Sequence, residues 1–447
     1  MTYPNSSAVV AGQATEADQY NFLRNDALCL GGDPANSGTL LDLLYQKSGE
    51  IRLSRASKTT IRLEADADNP CALMIGGSIC TRRSDEVLTL SADSFPDPGR
   101  YSLYAAGTSD GSFSLRAGNG SVPSGGREVG TFVWSGCGVI PGTVHDLKSW
   151  NRLQEQNHAS VVQGRLTLVP GEPVSDSDIT HAETLYFTPY HGNSVSLYQD
   201  GYWEPFTFSE LSLSLSGLQR GIPYDVFLSA DEDGLRLSTL SWGTSAARPS
   251  GMLVRQDGVR VMGGSSGKRF LGSFVLNSSG YAEDSTSGRL LWNENHRMPR
   301  PIISKLVTTK AQGTNHVNSW APYYDEDAPS VRVLLPVPDA EFSLTGVGLS
   351  SPISESDRSY LRASALGICR DMMTVSPYTG NENCAEVFTH SCGNAPLSVQ
   401  VQNHNASNLG YHRFTLAFWS NYNFYPTGTS LSSSVGECPG LYGVIQG

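Results

Sequence analysis

Short runs in which apolar and polar residues alternate recur along most of the chain, and Gly, Asp, Asn and Pro separate them. Residues 51–53 and 61–64 show this pattern early in the chain, and it is typical of strands with one buried face. The densest stretch is 183–211, where we predict strands at 185–190, 194–198 and 203–208. The pattern therefore predicts a mainly β protein with serial β-sandwich or β-barrel domains joined by short α-helical adaptors.

Asp-Gly pairs stand between such runs at 200–201, 233–234 and 257–258. They predict hairpin turns, because Asp and Gly accept the positive φ angles of a tight turn. The run 263–268, GGSSGK, resembles a phosphate-binding loop. However, Met262 replaces its first Gly, Arg269 replaces its Ser or Thr, and no helix follows. We expect a hairpin turn there as well.

Residues 13–30 carry one of the few helical patterns of the chain. An aromatic residue follows a Gly by eight positions both here, Tyr20 after Gly12, and at Trp150 after Gly142. Asn comes next and Leu follows at plus three in both copies. We interpret the two copies as an internal repeat, in which a short helical adaptor precedes each of two β-domains.

The turn and strand patterns divide the chain into five predicted segments. They are an N-terminal anchoring segment with a short helix (1–32), a first β-domain (33–135), a helical adaptor (136–163), a β-barrel or sandwich module (164–300) and a distal C-terminal β-domain (301–447).

Charge and hydropathy exclude some partners. The 447 residues carry a net charge of −12 and include no basic patch, so we expect no nucleic-acid partner. No window reaches the roughly 20 apolar residues that cross a bilayer, so we expect no membrane insertion. The N-terminal residues lack the basic start and apolar core of a signal peptide, and synthesis in the cytoplasm is therefore expected.

Candidate catalytic and metal-binding patterns are weak. The eight Cys form no CxxC pair and neither HExxH nor GxSxG occurs, so we expect no metal, no cofactor and no enzyme activity. Cys71, Cys80, Cys384 and Cys392 are expected to be free thiols, although oxidation after release from the cell stays open. The acidic runs 231–233 and 325–327 lack the spacing of a calcium loop and are predicted to be solvated turns.

Aromatic residues in predicted loops of the last domain are the better functional lead. Exposed Tyr and Trp side chains stack on sugar rings or bind protein surfaces. Core packing of half of them, or a subunit interface, is the alternative. The candidate surface-binding residues are Trp320, Tyr323, Tyr324, Trp419, Tyr422 and Tyr425.

A string of motifs over residues 139–300 resembles a module in structural proteins of tailed bacteriophages and prophages. Its main elements are Gly164-Arg165-Leu166-Thr167, Tyr224-Asp225-Val226-Phe227, Arg269-Phe270-Leu271-Gly272 and Trp292-Asn293 followed by Arg297. The resemblance implies a virion protein, made in the host cytoplasm and assembled as a homo-oligomer, commonly a trimer.

Members of this group look like fibre, tail or capsid appendages, so the resemblance also implies roles for the two ends. The N-terminal part would anchor to other virion proteins, and the C-terminal domain would contact a glycan or protein of the host surface. Two alternatives stay open: a capsid decoration or head-fibre protein, and a polysaccharide depolymerase, which a long parallel β-helix would favour. The candidate anchoring and interface residues are Tyr20, Asn21, Leu23, Trp150, Asn151 and Leu153.

Overall fold

The computed structural model describes residues 17–27, 51–75, 78–147, 159–306, 319–322, 328–350, 363–371, 386–390, 395–402, 409–420 and 439–447. Strands dominate these ranges, which confirms the prediction of a mainly β protein. Helix α1, Ala17–Ala27, lies inside the predicted helical segment 13–30.

The chain forms two compact units. Unit 1 consists of residues 1–161, 196–206 and 229–236, and unit 2 consists of 162–195, 207–228 and 237–447. The chain therefore passes between the units several times, instead of completing one domain before it starts the next. The repeated passage of the chain between the units was not predicted, because the alternation of apolar and polar residues marks strands but not the unit to which each part of a strand belongs.

Unit 1 contains two antiparallel sheets with the strand orders β1-β2-β5 and β7-β6-β8-β9, and the two-stranded pair β3-β4. Their inward side chains form one apolar core that includes Ile61, Leu103, Phe132 and Trp134. The strands are β1 Leu53–Ser57, β2 Thr60–Leu63, β3 Cys71–Ile75, β4 Ser78–Arg82, β5 Glu86–Thr89, β6 Gly99–Gly107, β7 Phe113–Gly118, β8 Gly126–Trp134 and β9 His145–Asp146.

The next strands belong to the predicted central module, and several of them are buried over runs of consecutive residues instead of alternating. They are β10 Gly164–Thr167, β11 Ile179–Ala182, β12 Thr184–Pro189, β13 Ser194–Gln199, β14 Tyr202–Thr207, β15 Leu211–Ser214, β16 Pro223–Asp231, β17 Gly234–Ser241, β18 Leu253–Gln256, β19 Val259–Met262, β20 Ser265–Val275, β21 Ala282–Ser285, β22 Gly288–Arg289 and β23 Leu291–Asn293.

The remaining strands form the C-terminal part of the chain. They are β24 Pro299–Lys305, β25 Ser319–Pro322, β26 Ser330–Leu335, β27 Phe342–Ser350, β28 Ala363–Arg370, β29 Glu386–His390, β30 Ala395–Gln402, β31 Gly410–Ser420 and β32 Gly440–Gln446. Two sheets hold most of them, in the orders β11-β21-β22-β26-β31-β28-β29 and β24-β32-β27-β30.

The predicted domain boundary between residues 300 and 301 is wrong. Strand β24 runs across it and pairs with β32, and β22 pairs with β26 from the other side of the boundary. Phe270, Trp292, Val331, Leu344 and Leu416 share one apolar core. Both parts therefore belong to unit 2, because each sheet needs strands from both to bury its apolar face.

The predicted hairpin turns are confirmed where the chain is described. Asp200 and Gly201 have φ angles of 44° and 96° between β13 and β14, and Asp257 and Gly258 have 49° and 84° between β18 and β19. Two successive positive φ angles match the right-handed twist of the flanking strands. The loop with the phosphate-binding likeness is also a turn, since Gly264 lies between β19 and β20 with a φ of 76°.

Candidate functional site

The motif residues of the central module form buried polar contacts in unit 2. Arg165, on β10, donates through Nη2 to the Gly447 carbonyl at 2.7 Å, and it also donates to the His296 carbonyl. Asn293, on β23, accepts from the Leu166 amide at 2.7 Å and donates to the Leu166 carbonyl at 3.2 Å. Burial lowers the pKa of Arg165 to about 10, so it remains a cation at neutral pH and binds the carbonyls firmly.

A second group surrounds Asp225 on β16, whose side chain is completely buried. Arg248 grips both carboxylate oxygens, with Nε–Oδ2 at 2.6 Å and Nη2–Oδ1 at 2.8 Å. Ser273 and Trp242 also donate to Oδ1, at 2.7 and 2.9 Å. The remaining Arg248 nitrogen, Nη1, donates to the Pro336 carbonyl at 2.8 Å. The pair therefore links the central strands to the segment between β26 and β27.

A third group joins β19, the turn after β23 and the segment between β26 and β27. Arg260 contacts Glu294 and Asp339, each at 2.5 Å. Arg297 contacts the same two carboxylates at 3.1 and 3.2 Å, and its guanidinium lies 4.5 Å from the centroid of the Trp292 ring. Burial raises the pKa of Asp339, but the two arginines outweigh it and the net pKa lies below the ordinary value. The cations and carboxylates of this group compensate each other.

In all three groups the polar side chains hold strands and turns together. Buried charges in proteins are tolerated when they are paired or hydrogen-bonded. The carboxylates of the second and third groups pair with arginines, and Arg165 donates to two carbonyls. Gly272 has a packing role of the same kind: a Cβ there would stand 2.2 Å from the Trp292 carbonyl oxygen. The motif string thus marks positions that maintain the fold of unit 2.

Unit 1 contains a buried carboxylate that the sequence pattern did not identify. Glu204, on β14, is 0% exposed and forms an ion pair with Arg100. His145 Nε2 lies 3.6 Å from its second oxygen, and Arg100 also donates to the Gln199 carbonyl at 3.2 Å. The sequence pattern predicted a strand at 203–208 but did not single out Glu204. The alternating pattern does not mark Glu204 as buried, because its neighbour Trp203 is buried as well.

The predicted surface-binding group is not supported as a whole. Trp320, on β25, is only 5% exposed and packs with Ala365, Cys369 and Ala417. A surface role for Trp320 is therefore wrong, since its ring packs against these side chains and over Gly367, where an added Cβ would stand 2.6 Å from ring atom Cζ3. Trp419 is its cross-strand neighbour and is partly buried against the same cluster. The other four candidates, Tyr323, Tyr324, Tyr422 and Tyr425, lie outside the described residues.

The predicted anchoring residues are only partly described. On α1, Tyr20 is 67% exposed, Leu23 is 60% exposed and Asn21 is also exposed. Their side chains are accessible, as an interface role requires, but accessibility alone does not identify a partner. The second copy of the repeat, with Trp150, Asn151 and Leu153, lies outside the described residues.

The acidic run 231–233 is held by cations in unit 1. Lys58 contacts Glu232 at 3.4 Å and Asp233 at 3.1 Å, while Arg236 pairs with Asp231. Within the described ranges no cluster of three or more His, Cys, Asp or Glu side chains could hold a metal ion. The second acidic run, 325–327, falls outside those ranges.

Cys71, Cys80 and Cys137 are free thiols. Cys71 and Cys80 lie on the paired strands β3 and β4, where their cross-strand partners are Arg82 and Leu73. The prediction of thiols is confirmed for this pair, and Cys384 and Cys392 fall outside the described ranges. No described helix is both long and apolar enough to span a membrane.

Comparisons with known proteins give no family. No family model matches the chain, and no curated protein matches it. Among solved structures, a glycoside hydrolase family 43 arabinoxylan arabinofuranohydrolase from Bacillus subtilis is 11% identical, with 89% of this chain and 78% of that chain covered and a TM-score of 0.14. The insecticidal delta-endotoxin Cry8Ea1 from Bacillus thuringiensis is 10% identical, with 88% and 51% covered and a TM-score of 0.13. Likenesses this small carry no argument about fold or function.

Proposed function

We propose that the chain is a non-enzymatic structural protein of a phage virion, a fibre-like or tail-associated appendage. In this proposal the N-terminal segment anchors to other virion proteins and the C-terminal part contacts the host surface. The proposal rests first on the resemblance of residues 139–300 to modules of tailed-phage structural proteins. It applies to a homo-oligomer, which would multiply weak surface contacts by avidity.

The observation that supports it best is the role of the motif residues. Arg165, Asp225, Gly272 and Asn293 stand in the resembling motifs, and all four hold the strands of unit 2 together. A motif string made of fold-maintaining residues is what a scaffold module requires, whereas an enzyme motif would gather side chains that face a substrate.

Strand pairing also favours the scaffold over a depolymerase. The long sheet of unit 2 joins most of its neighbours antiparallel, as in β26–β31 and β28–β31. A parallel β-helix would instead stack short parallel rungs along the chain. The described parallel pair, β22–β26, is two residues long on each strand. A capsid decoration or head-fibre protein would have the same kind of architecture. Only its location on the particle distinguishes it from a fibre-like or tail-associated appendage.

Location on the particle is the deciding experiment. Particles from the phage or prophage that encodes the chain would be imaged by cryo-electron microscopy with and without Fab fragments raised against the purified protein. Fab density on the tail or fibre supports the proposal, and Fab density on the capsid supports the decoration alternative. Absence of the protein from purified particles, checked by mass spectrometry, overturns both.

The activity and assembly states are tested on the purified chain. Release of reducing sugar from host capsule, at a rate above that of heat-denatured protein, would overturn the non-enzymatic assignment. Native mass spectrometry measures the number of chains in the assembly. A trimer is the expected result, and a monomer at micromolar concentration would overturn the homo-oligomer.

A further inference from the structure

An open groove of about 610 Å³ lies at the start of β31 in unit 2. Its size is within the range of roughly 300–1,000 Å³ that small-ligand sites occupy. All of its described lining comes from unit 2, and β31 supplies three of the lining residues. The lining includes Ser245, Asp371, Tyr411 and Arg413.

Asp371 is held as a ready hydrogen-bond acceptor. Its Oδ2 lies 2.6 Å from His412 Nδ1, and its Oδ1 accepts the Arg413 amide at 2.8 Å. The residue takes a φ of 58° directly after β28. Burial raises the pKa of this carboxyl, but the bonds from His412 and Arg413 outweigh it and the net pKa lies below the ordinary value. Asp371 is therefore ionised at neutral pH, and its side chain remains 44% exposed.

The opposite parts of the lining are tied to the same strand. The Tyr411 amide donates to the Ser245 carbonyl at 2.9 Å. Gly410 permits this approach, because a Cβ there would stand 2.8 Å from the Ser245 oxygen. Arg413 is exposed, and its Nη2 donates to Ser330 Oγ at 3.1 Å. A lining that is hydrogen-bonded to its own framework loses little freedom when a ligand binds.

The chemistry of the lining selects among ligand classes. One carboxylate, Asp371, and one guanidinium, Arg413, give a net charge near zero. The whole chain carries −12, which disfavours polyanions. The groove offers a hydrogen-bond acceptor in Asp371, a donor in Arg413 and the partly buried ring of Tyr411. These groups suit a molecule with many neutral hydroxyl groups and apolar C–H faces.

We propose that this groove is a binding site for a neutral oligosaccharide, with Asp371 and Arg413 hydrogen-bonding its hydroxyl groups and Tyr411 contacting a ring face. The binding of a saccharide is inferred from the groove geometry alone. The assignment of this saccharide to a host surface rests on the proposed function. Failure of the particle-location experiment would therefore remove the biological setting but not the site.

The test uses the full chain and defined probes. Neutral tetrasaccharides built from glucose, galactose, mannose or N-acetylhexosamine would be immobilised beside a sulfated heparin-type tetrasaccharide, and free glycine would serve as a zwitterionic competitor. We expect at least one neutral tetrasaccharide to retain the labelled protein, with no competition by 10 mM glycine, a concentration of order ten times the roughly 1 mM dissociation constant of weak sites.

Matched variants tie any binding to the groove. Arg413→Ala removes an exposed cation, and Asp371→Asn keeps a residue type that tolerates positive φ. Each should weaken binding about tenfold. Arg255→Ala, an exposed arginine of the β18–β19 hairpin, should leave it unchanged. The proposal is overturned if no neutral probe binds, if only the sulfated probe binds, if glycine competes, or if correctly folded Arg413→Ala and Asp371→Asn proteins bind like the parent.

Discussion

Removing Arg248 should destabilise unit 2 more than removal of any ordinary surface arginine. The substitution Arg248→Ala leaves the fully buried Asp225 carboxylate with only the Ser273 and Trp242 donors. It also deletes the bond to the Pro336 carbonyl and the stacking of the guanidinium 4.3 Å from the Trp242 ring centroid. The cause is the loss of one partner from a buried pair, which leaves an uncompensated charge.

The expected magnitude follows from such pairs in other proteins. Breaking a buried pair by removing one partner costs about 3–5 kcal/mol. For a unit of this size each kcal/mol shifts the melting temperature by roughly 2–4 °C. The variant should therefore melt at least about 6 °C below the parent in a circular-dichroism thermal scan, taking the lower ends of both ranges.

Two further proteins make the measurement specific to the ion pair. Arg255→Ala removes an exposed arginine that, among the described residues, donates to Gly258 of its own hairpin. It should change the melting temperature by less than about 2 °C. The double variant Asp225→Asn with Arg248→Met removes both charges, so its loss should be smaller than the sum of the single losses. Equal melting temperatures for Arg248→Ala and Arg255→Ala would refute the assigned role of the pair.

Three other predictions concern packing and thiol chemistry. Gly272→Ala should lower the free energy of unfolding by about 1–3 kcal/mol in urea titration, because the new Cβ would meet the Trp292 carbonyl; an unchanged midpoint would contradict this close approach. Trp320→Ala should cost about 3–5 kcal/mol in the same assay, since its ring is 5% exposed, whereas a solvent-facing ring would give almost no loss. Burial raises the pKa of the Cys71 thiol to about 11, so this thiol is protonated at pH 7.5 and reacts slowly with iodoacetamide. Peptide mapping after brief treatment should find exposed Cys137 labelled and buried Cys71 unlabelled. Equal labelling of the two cysteines would show that Cys71 is accessible.

Much of the strand layout could be predicted from the chain alone. Short apolar runs placed β12, β13 and β14 within about a residue of their observed ends, because such runs between turn residues mark strands even where neighbouring residues are both buried. The Asp-Gly turns at 200–201 and 257–258 were equally readable, since both residues of each turn take positive φ angles, which favour those residue types.

The candidate groove could not be predicted in the same way. Ser245, Asp371 and Tyr411 come from segments far apart in the chain, and no motif spacing connects them. Their approach depends on backbone bonds such as that from Tyr411 to Ser245. Conversely, Trp320 had the residue type of a binding site but lies in the core. Aromatic side chains serve both purposes, and only packing distinguishes them.

The amino-acid sequence by itself determined the mainly β class, the turns and the net negative charge of this protein, because these depend on local periodicity and on residue types. The tertiary structure alone decided which strands share a sheet and where the units divide. Strand β24 shows the reason: its residues 299–305 cross the expected boundary and pair with β32 more than a hundred residues later. Pairing over that distance depends on which apolar faces can cover each other, and that choice leaves no local mark in the sequence.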